Sequence, residues 1–102
     1  MRDPILNLLG LITKAGKLVN GEERTVEAIR NKKAKVVFIA EDAGVSTFKK
    51  VTDKAAFYEV YLIKKYNKRE LSIATGSENR VVLAVTDKGF ANKCIDLFEK
   101  GK

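Results

Sequence analysis

The 102-residue chain predicts an α/β fold, a three-layer α/β/α sandwich around a small mixed β-sheet of about four strands. Two observations lead there. Val36-Val37-Phe38-Ile39-Ala40 is an unbroken apolar run rich in branched side chains, the pattern of a strand covered on both faces, and Val81-Val82-Leu83-Ala84-Val85 reads as a further strand. Between and around them lie stretches whose apolar residues repeat at helical spacing. Helices and short strands alternate throughout, with no internal repeat and no linker, so residues 1–102 are expected to form one domain.

Asp3-Pro4 opens the first helix as an N-cap followed by proline at the first helical position. Ile5, Leu8, Leu9 and Ile12 repeat on one face, and Leu6 and Leu11 are expected to widen it. Thr13-Lys14-Ala15-Gly16 closes the helix, with Gly16 placed for a left-handed cap, and Lys17-Leu18-Val19 reads as a short edge strand. Asn20 then reads as the cap of a second helix, with Glu23 as the returning carboxylate of a capping box and Gly21 permitting a tight turn. Val26, Ala28 and Ile29 form its inward stripe, and Asn31, Lys32 and Lys33 end it.

After the central apolar run, Asp42 to Ser46 forms a loop with Ser46 as the expected cap of a third helix. Phe48, Val51 and Ala55 share one face of that helix, and Val60 to Ile63 reads as another buried strand. Lys64 to Arg69 is a basic loop, Glu70 to Thr75 a short helix ended by Gly76, and Ser77-Glu78-Asn79 a turn before the last strand. Thr86 or Asp87 caps the final helix, where Phe90, Cys94, Leu97 and Phe98 lie together.

Twenty Lys and Arg against thirteen Asp and Glu leave a net charge of +7, which on so small a chain is the footprint of a polyanion partner or of a merely soluble basic protein. The lone Cys94 cannot close an internal disulfide and reads as a small buried hydrophobe, so a reducing cytoplasmic setting without a disulfide-linked partner is expected. With no histidine and one cysteine, zinc-finger and zinc-hydrolase patterns are excluded, and neither a metal nor a cofactor is expected. The apolar runs are too short to span a bilayer, and Met1-Arg2-Asp3-Pro4 opens no plausible signal peptide. No serine, threonine or cysteine has a histidine to activate it, and the glycines match neither a Walker loop nor a dinucleotide fingerprint. A binding protein is therefore expected rather than an enzyme.

The helix that starts at Gly21 offers free backbone N–H groups and positive partial charge at its tip, suited to phosphate or the edge of a base. Glu22 and Glu23 are explained by capping and the helix dipole without any chemistry. Lys14 and Lys17 precede the helix, Arg24 lies in its first turns, and Arg30, Lys32, Lys33 and Lys35 trail it. Were such charges to converge on the helix tip, they would clamp phosphates. Tyr66, within the basic loop, either stacks on a base or packs over the sheet edge.

Several segments resemble the kink-turn-binding ribosomal protein family, of the archaeal L-seven-Ae and eukaryotic L-thirty-e type. They are the central helix and strand, Ala40-Glu41-Asp42-Ala43, Thr52-Asp53-Lys54, and Ala84-Val85-Thr86-Asp87-Lys88-Gly89-Phe90. The opening LGLITKAGKLVNGEE and the ending AVTDKGFA are most similar to the family's small stand-alone bacterial members, and the similarity covers nearly the whole chain. The resemblance implies a three-layer sandwich in which the start of the helix over Gly21 to Arg30 enters the opened major groove of a kinked RNA and meets tandem sheared G·A pairs. It also implies that the loop over Thr75, Gly76, Ser77, Glu78, Asn79 and Arg80 covers a base expelled from the stack. An ordinary A-form major groove is too deep and narrow for side chains, so the kink creates the site.

The archaeal motif is Gly, any residue, Asn, Glu, two residues, then Lys; here Gly21 is kept, Glu23-Arg24 replaces Asn-Glu, and Glu27 replaces the lysine. The implied RNA site thus comprises Asn20, Gly21, Glu22, Glu23, Arg24 and Glu27, with Lys14, Lys17 and Lys33 holding phosphates and the 75–80 loop flanking them. Arg24 can pair with guanine N7 and O6, and Glu23 can accept from an amino or imino edge. The expected partner is structured RNA, a kink-turn in ribosomal or other RNA, with possible ribosome association and no membrane. The competing expectation is a protein-interaction module on the ribosome or transcription machinery that keeps the fold with an RNA site weakened by Glu27.

Overall fold

The structure is a computed structural model and describes residues 3–101; Met1, Arg2 and Lys102 lie outside them. Helices α1 (Pro4–Lys14), α2 (Glu22–Arg30), α3 (Val45–Phe57), α4 (Lys68–Thr75) and α5 (Lys88–Lys100) alternate with strands β1 (Leu18–Asn20), β2 (Val36–Ile39), β3 (Tyr61–Ile63) and β4 (Val82–Val85). The sheet order is β1-β4-β2-β3. β4 runs antiparallel to both neighbours, and β2 and β3 are parallel, so the sheet is mixed.

β2 and β4 occupy the middle, and every residue of both is buried. Because successive side chains on a strand point to opposite faces, each strand feeds two cores. Val36 and Phe38 face the same layer as Leu83 and Val85, packed with Ile5, Leu9 and Ile12 of α1, Leu71 of α4 and Cys94 of α5. Val37 and Ile39, with Val82 and Ala84, join Val26 and Ile29 of α2 and Val51 of α3 on the other side. The register carries the same division, since Val36 opposes Val85 and Val37 opposes Ala84. This is the three-layer sandwich that the apolar runs predict. Val60 to Ile63, expected to be a buried strand, yields instead the edge strand β3, of which only Ile63 is buried.

Local signals hold where the chain keeps to its own neighbourhood. Asp3 caps α1, accepting from the N–H of Ile5 at 2.9 Å and Leu6 at 3.2 Å. Gly16 and Gly76 follow α1 and α4 with φ of 73° and 70°, in the left-handed region where a Cβ is strained. Asp87 caps α5 through the N–H of Phe90. Three expectations fail. Leu11 is 59% exposed, because two residues from buried Leu9 is about 200° around a helix. Gly44, not Ser46, caps α3, and the helix begins at Val45 without a side-chain cap. The capping box belongs to α4, where Asn67 accepts from the N–H of Glu70 and Glu70 returns to the N–H of Asn67.

Tyr66 does not stand ready to stack on a base. It is 2% exposed, stacks on Phe38 at 6.4 Å between centroids, and donates its hydroxyl to the Asp3 carboxylate at 2.9 Å. Burial, then the Asp3 hydrogen bond, pushes its phenol well above the ordinary range, so it stays a neutral donor. The Lys65 ammonium adds a 3.8 Å ion pair to Asp3. One carboxylate therefore joins the start of α1 to the segment before α4.

Asp3→Ala should remove the α1 cap and strand the buried Tyr66 hydroxyl, costing about 2–4 kcal/mol in urea unfolding, whereas Asp3→Asn should keep most of the cap. An unchanged midpoint for Asp3→Ala would remove this carboxylate from its structural role. Cys94 is fully buried and desolvation pushes its thiol up to about 11, so at pH 8 it should react with a disulfide reagent only as fast as the protein opens, and much faster in urea.

Candidate nucleic-acid interface

The turn from β1 into α2 departs from the capping box expected there. Asn20 is the last residue of β1, opposite Leu83, and its side chain does not cap the helix. The N-cap is Gly21, with φ of 97° and ψ of 151°. Its N–H donates to the Val82 carbonyl at 2.9 Å, and its carbonyl accepts from the Thr25 N–H at 3.0 Å. A Cβ on Gly21 would meet nothing within 4 Å, so the requirement for glycine is backbone conformation and not crowding. The first turn of α2 thus presents its backbone N–H groups at an exposed tip with no side chain over them.

Glu22 faces away from the tip. Its carboxylate accepts from the Thr47 hydroxyl at 2.7 Å and pairs with the Lys50 ammonium at 3.2 Å, tying α2 to α3. The Thr47 hydrogen bond, then the one from Lys50, holds its carboxyl below the ordinary carboxylate range. Glu23 and Arg24 are exposed. Glu27 lines a cleft between α2 and α3 with Glu23, Val26, Arg30, Asn31 and Lys50, one helical turn beyond Glu23. Neither Thr47 nor Lys50 carries a signal in sequence, because the tie joins residues 25 positions apart.

The α4–β4 loop lies at the same end of the sheet as Gly21, because Val82, the acceptor for Gly21, is the first residue of β4. The loop is tightly held. Asn79 adopts a φ of 56°, the Arg80 N–H donates to the Ser72 hydroxyl at 3.0 Å, and the Ser77 N–H to the Ser72 carbonyl at 3.0 Å. Thr75 is 7% exposed and its hydroxyl donates to the Leu71 carbonyl, while the Arg80 guanidinium folds back onto that hydroxyl at 3.4 Å. Thr75 is therefore scaffold, and the accessible rim is Gly76, Ser77, Glu78 and Asn79. These form a shallow depression with Arg69, Ser72 and Ile73. Ile73, 68% exposed, supplies the apolar surface that the loop sequence lacks; sequence reading passed over it because it sits in the helix, two positions from buried Leu71.

The lysines do not converge on this tip. Lys17 precedes β1 and Gly21 follows it, which separates them by about 13 Å of extended chain. Lys14 ends α1, and Lys33 follows α2 just before β2 returns, so both lie at the Lys17 end of the sheet. Of the predicted site residues, Asn20 to Arg24 and the 75–80 loop are brought together, Glu27 sits one turn behind, and Lys14, Lys17 and Lys33 are placed elsewhere. Among the described residues no group of His, Cys, Asp or Glu is arranged to hold a metal ion, and no helix is long and apolar enough to cross a membrane.

The Glu22 tie should be pH-dependent with a definite sign. A carboxyl whose folded pKa is depressed stabilises the fold above its unfolded pKa and loses that contribution as pH falls through the folded value. Urea midpoints of the wild type and Glu22→Gln should therefore differ at neutral pH and draw together in acid. A gap that stays constant with pH would mean that the carboxylate charge is not what holds α2 to α3.

Comparison with known proteins agrees with this geometry. The model of the ribosomal protein L7Ae/L30e/S12e/Gadd45 family matches residues 3–95. A protein of Bacillus subtilis (strain 168) named RNA-binding protein YlxQ is 49% identical over 92 residues, covering 90% of this chain and 92% of its own. Its namesake in Enterococcus faecium is 45% identical over 98 residues, covering 96% and 94%. A solved structure from Bacillus halodurans C, described as a protein of unknown function, superposes with a TM-score of 0.92 at 37% identity, covering 96% of this chain and 99% of that one. The Giardia lamblia 15.5kD RNA binding protein shares the fold, with a TM-score of 0.82 at 18% identity over 94% of this chain and 82% of that one. The chain belongs to the ribosomal protein L7Ae/L30e/S12e/Gadd45 family.

Proposed function

We propose that this chain acts as a single cytoplasmic RNA-binding domain, without catalysis, that recognises kink-turns in structured RNA such as ribosomal RNA. The observation that carries the reading is the uncapped, glycine-led start of α2 with Arg24 exposed in its first turn. The family and the names of its bacterial relatives support RNA as the ligand. In this reading the tip of α2 enters the groove opened by the kink, where backbone N–H groups meet phosphate oxygens. Arg24 pairs in bidentate fashion with guanine N7 and O6, and Glu23 accepts from a base amino or imino group.

Glu22 acts as a positioning residue, because its carboxylate is occupied by Thr47 and Lys50. Glu27, which stands where archaeal relatives carry lysine, lies in the α2/α3 cleft one turn beyond Glu23, where Arg30 of the same lining would offset it against nearby phosphates. An expelled base would rest on Ile73 and the rim at Gly76 to Asn79, with Thr75 and Arg80 bracing the loop from behind. The runner-up, a protein-interaction module with an RNA site weakened by Glu27, is not favoured by the family or by the names of the bacterial relatives.

The test is titration of a labelled kink-turn RNA at two salt concentrations, beside a control with the sheared G·A pairs replaced by Watson–Crick pairs. The kinked RNA should bind more tightly, and its advantage should survive higher salt. Arg24→Ala should cost about 1–3 kcal/mol of that advantage, since one bidentate base contact is lost. Equal and steeply salt-dependent binding of both RNAs would reduce the interaction to counterion release by a basic surface and overturn the reading.

A further inference from the structure

We propose that the end of the sheet opposite Gly21 is a second RNA-binding surface, a lysine plate that grips phosphodiester backbone independently of the α2 tip. Three turns build it: the one between α1 and β1, the one between α2 and β2, and the one between β4 and α5. These turns and the helix ends beside them carry Lys14, Lys17, Lys32, Lys33, Lys35 and Lys88, all exposed. Backbone hydrogen bonds lock the turns side by side. The Lys35 N–H donates to the Val85 carbonyl at 2.8 Å, and the Thr86 N–H donates to the Lys17 carbonyl at 3.0 Å. Lys17, the start of the β4–α5 turn and Lys35 therefore occupy adjacent strand positions, about 5 Å apart across the sheet.

The charge of this surface is not neutralised from within. The ion pairs among the described residues join Lys49 to Asp53, Lys50 to Glu22, Lys65 to Asp3 and Lys100 to Asp96, and none involves these six lysines. Asp87, which caps α5, and Glu59, in the turn leading to β3 beyond β2, bring negative charge near this end, but among the described residues neither forms an ion pair with any of the six lysines. The Lys35 ammonium donates to the Lys32 carbonyl at 3.0 Å, which leaves two of its three donors for a ligand. Lys32 itself holds a φ of 61°, so the turn is a defined left-handed one and not a loose tail.

The chemistry favours nucleic acid over protein. Protein interfaces are built on buried aromatic, methionine and arginine side chains and are depleted in lysine. Among the described residues the large exposed apolar side chains are Leu11, Val45, Phe57 and Ile73; Leu11 and Phe57 stand on the last turns of α1 and α3, and none lies in the three turns themselves. A surface whose turns carry lysine point charges suits phosphates, which fix position without reading sequence. With the tip of α2 at the other end of the sheet, the protein would hold two RNA segments at once.

The test compares three proteins: wild type; Lys17→Ala/Lys33→Ala/Lys35→Ala/Lys88→Ala; and a charge-matched control, Lys49→Ala/Lys68→Ala/Lys93→Ala/Lys100→Ala. Each is titrated with single-stranded oligouridine and with a short-stemmed kink-turn RNA over a range of salt, after circular dichroism establishes that it is folded. The plate variant should lose about tenfold or more in oligouridine affinity, its salt slope falling by about 3, while its kink-turn affinity at about 200 mM salt changes by less than about threefold. The control should lose far less on oligouridine. Equal losses in the plate and control variants would overturn the proposal, leaving only net charge. So would parallel loss of kink-turn binding in the plate variant, since the lysines would then belong to one footprint. Failure of the kink-turn reading would show separately, as absent discrimination between kinked and unkinked RNA by the wild type.

Discussion

The rest of the molecule depends on the antiparallel pairing of β2 with β4. Their eight residues are buried on both faces and opposed so that like faces like across the pair, Val36 with Val85 and Phe38 with Leu83 on one side, Val37 with Ala84 and Ile39 with Val82 on the other. A shift of one residue would send every one of these side chains into the wrong layer. The pairing also fixes both ends of the protein. The Val82 carbonyl receives the N–H of Gly21, and the Val85 carbonyl receives the N–H of Lys35. The helix tip and the lysine turns are thereby held at opposite ends of a four-residue strand, at a separation that the β-rise sets at about 10 Å.

A second organising contact is polar. Asp3 serves at once as helix cap, acceptor for the buried Tyr66 hydroxyl and partner of Lys65. Burying a phenol is tolerable only when its hydroxyl is paired, and the carboxylate that pairs it is itself fixed by the N–H groups of α1. Asp42 extends this part of the molecule by accepting from the Lys68 N–H at 2.9 Å, so the segments before and after Tyr66 are both pinned. The start of α4, and through it the loop beside Gly21, is positioned by this network and not by the hydrophobic core alone.

The two ends differ in chemistry as well as place. At the Gly21 end are backbone N–H groups, one exposed arginine in the first turn, a carboxylate and an exposed isoleucine beside a held loop, a mixture suited to discriminating shape and base edges. The other end presents lysines on turns, suited to charge without sequence. Six of the twenty Lys and Arg stand at the Lys17 end, while Arg24 at the Gly21 end is accompanied by Glu22 and Glu23, so the two ends differ in charge as well.

The sequence by itself determined the layers and most element boundaries, because these follow from short-range signals. The unbroken branched run Val36 to Ala40 reads as a strand buried on both faces, Asp3-Pro4 and Thr86 or Asp87 read as helix starts, and Gly16 and Gly76 mark helix ends. It also pointed to the Gly21 turn, since φ of 97° admits little but glycine. Tertiary structure decided the rest. Asn20 reads as a cap until β1 is seen to pair it with Leu83, which draws it into the sheet and leaves the helix start bare. Tyr66 reads equally as a base-stacking ring or as packing over the sheet edge until Asp3, far away in sequence, is found against its hydroxyl. Lys17 and Arg24, seven positions apart, read as one clamp until the strand between them carries the chain from one end of the sheet to the other, and α2 then runs back to set Lys33 beside Lys17's end. Each of these outcomes depends on which strand lies beside which, and local sequence patterns do not encode pairing between distant segments.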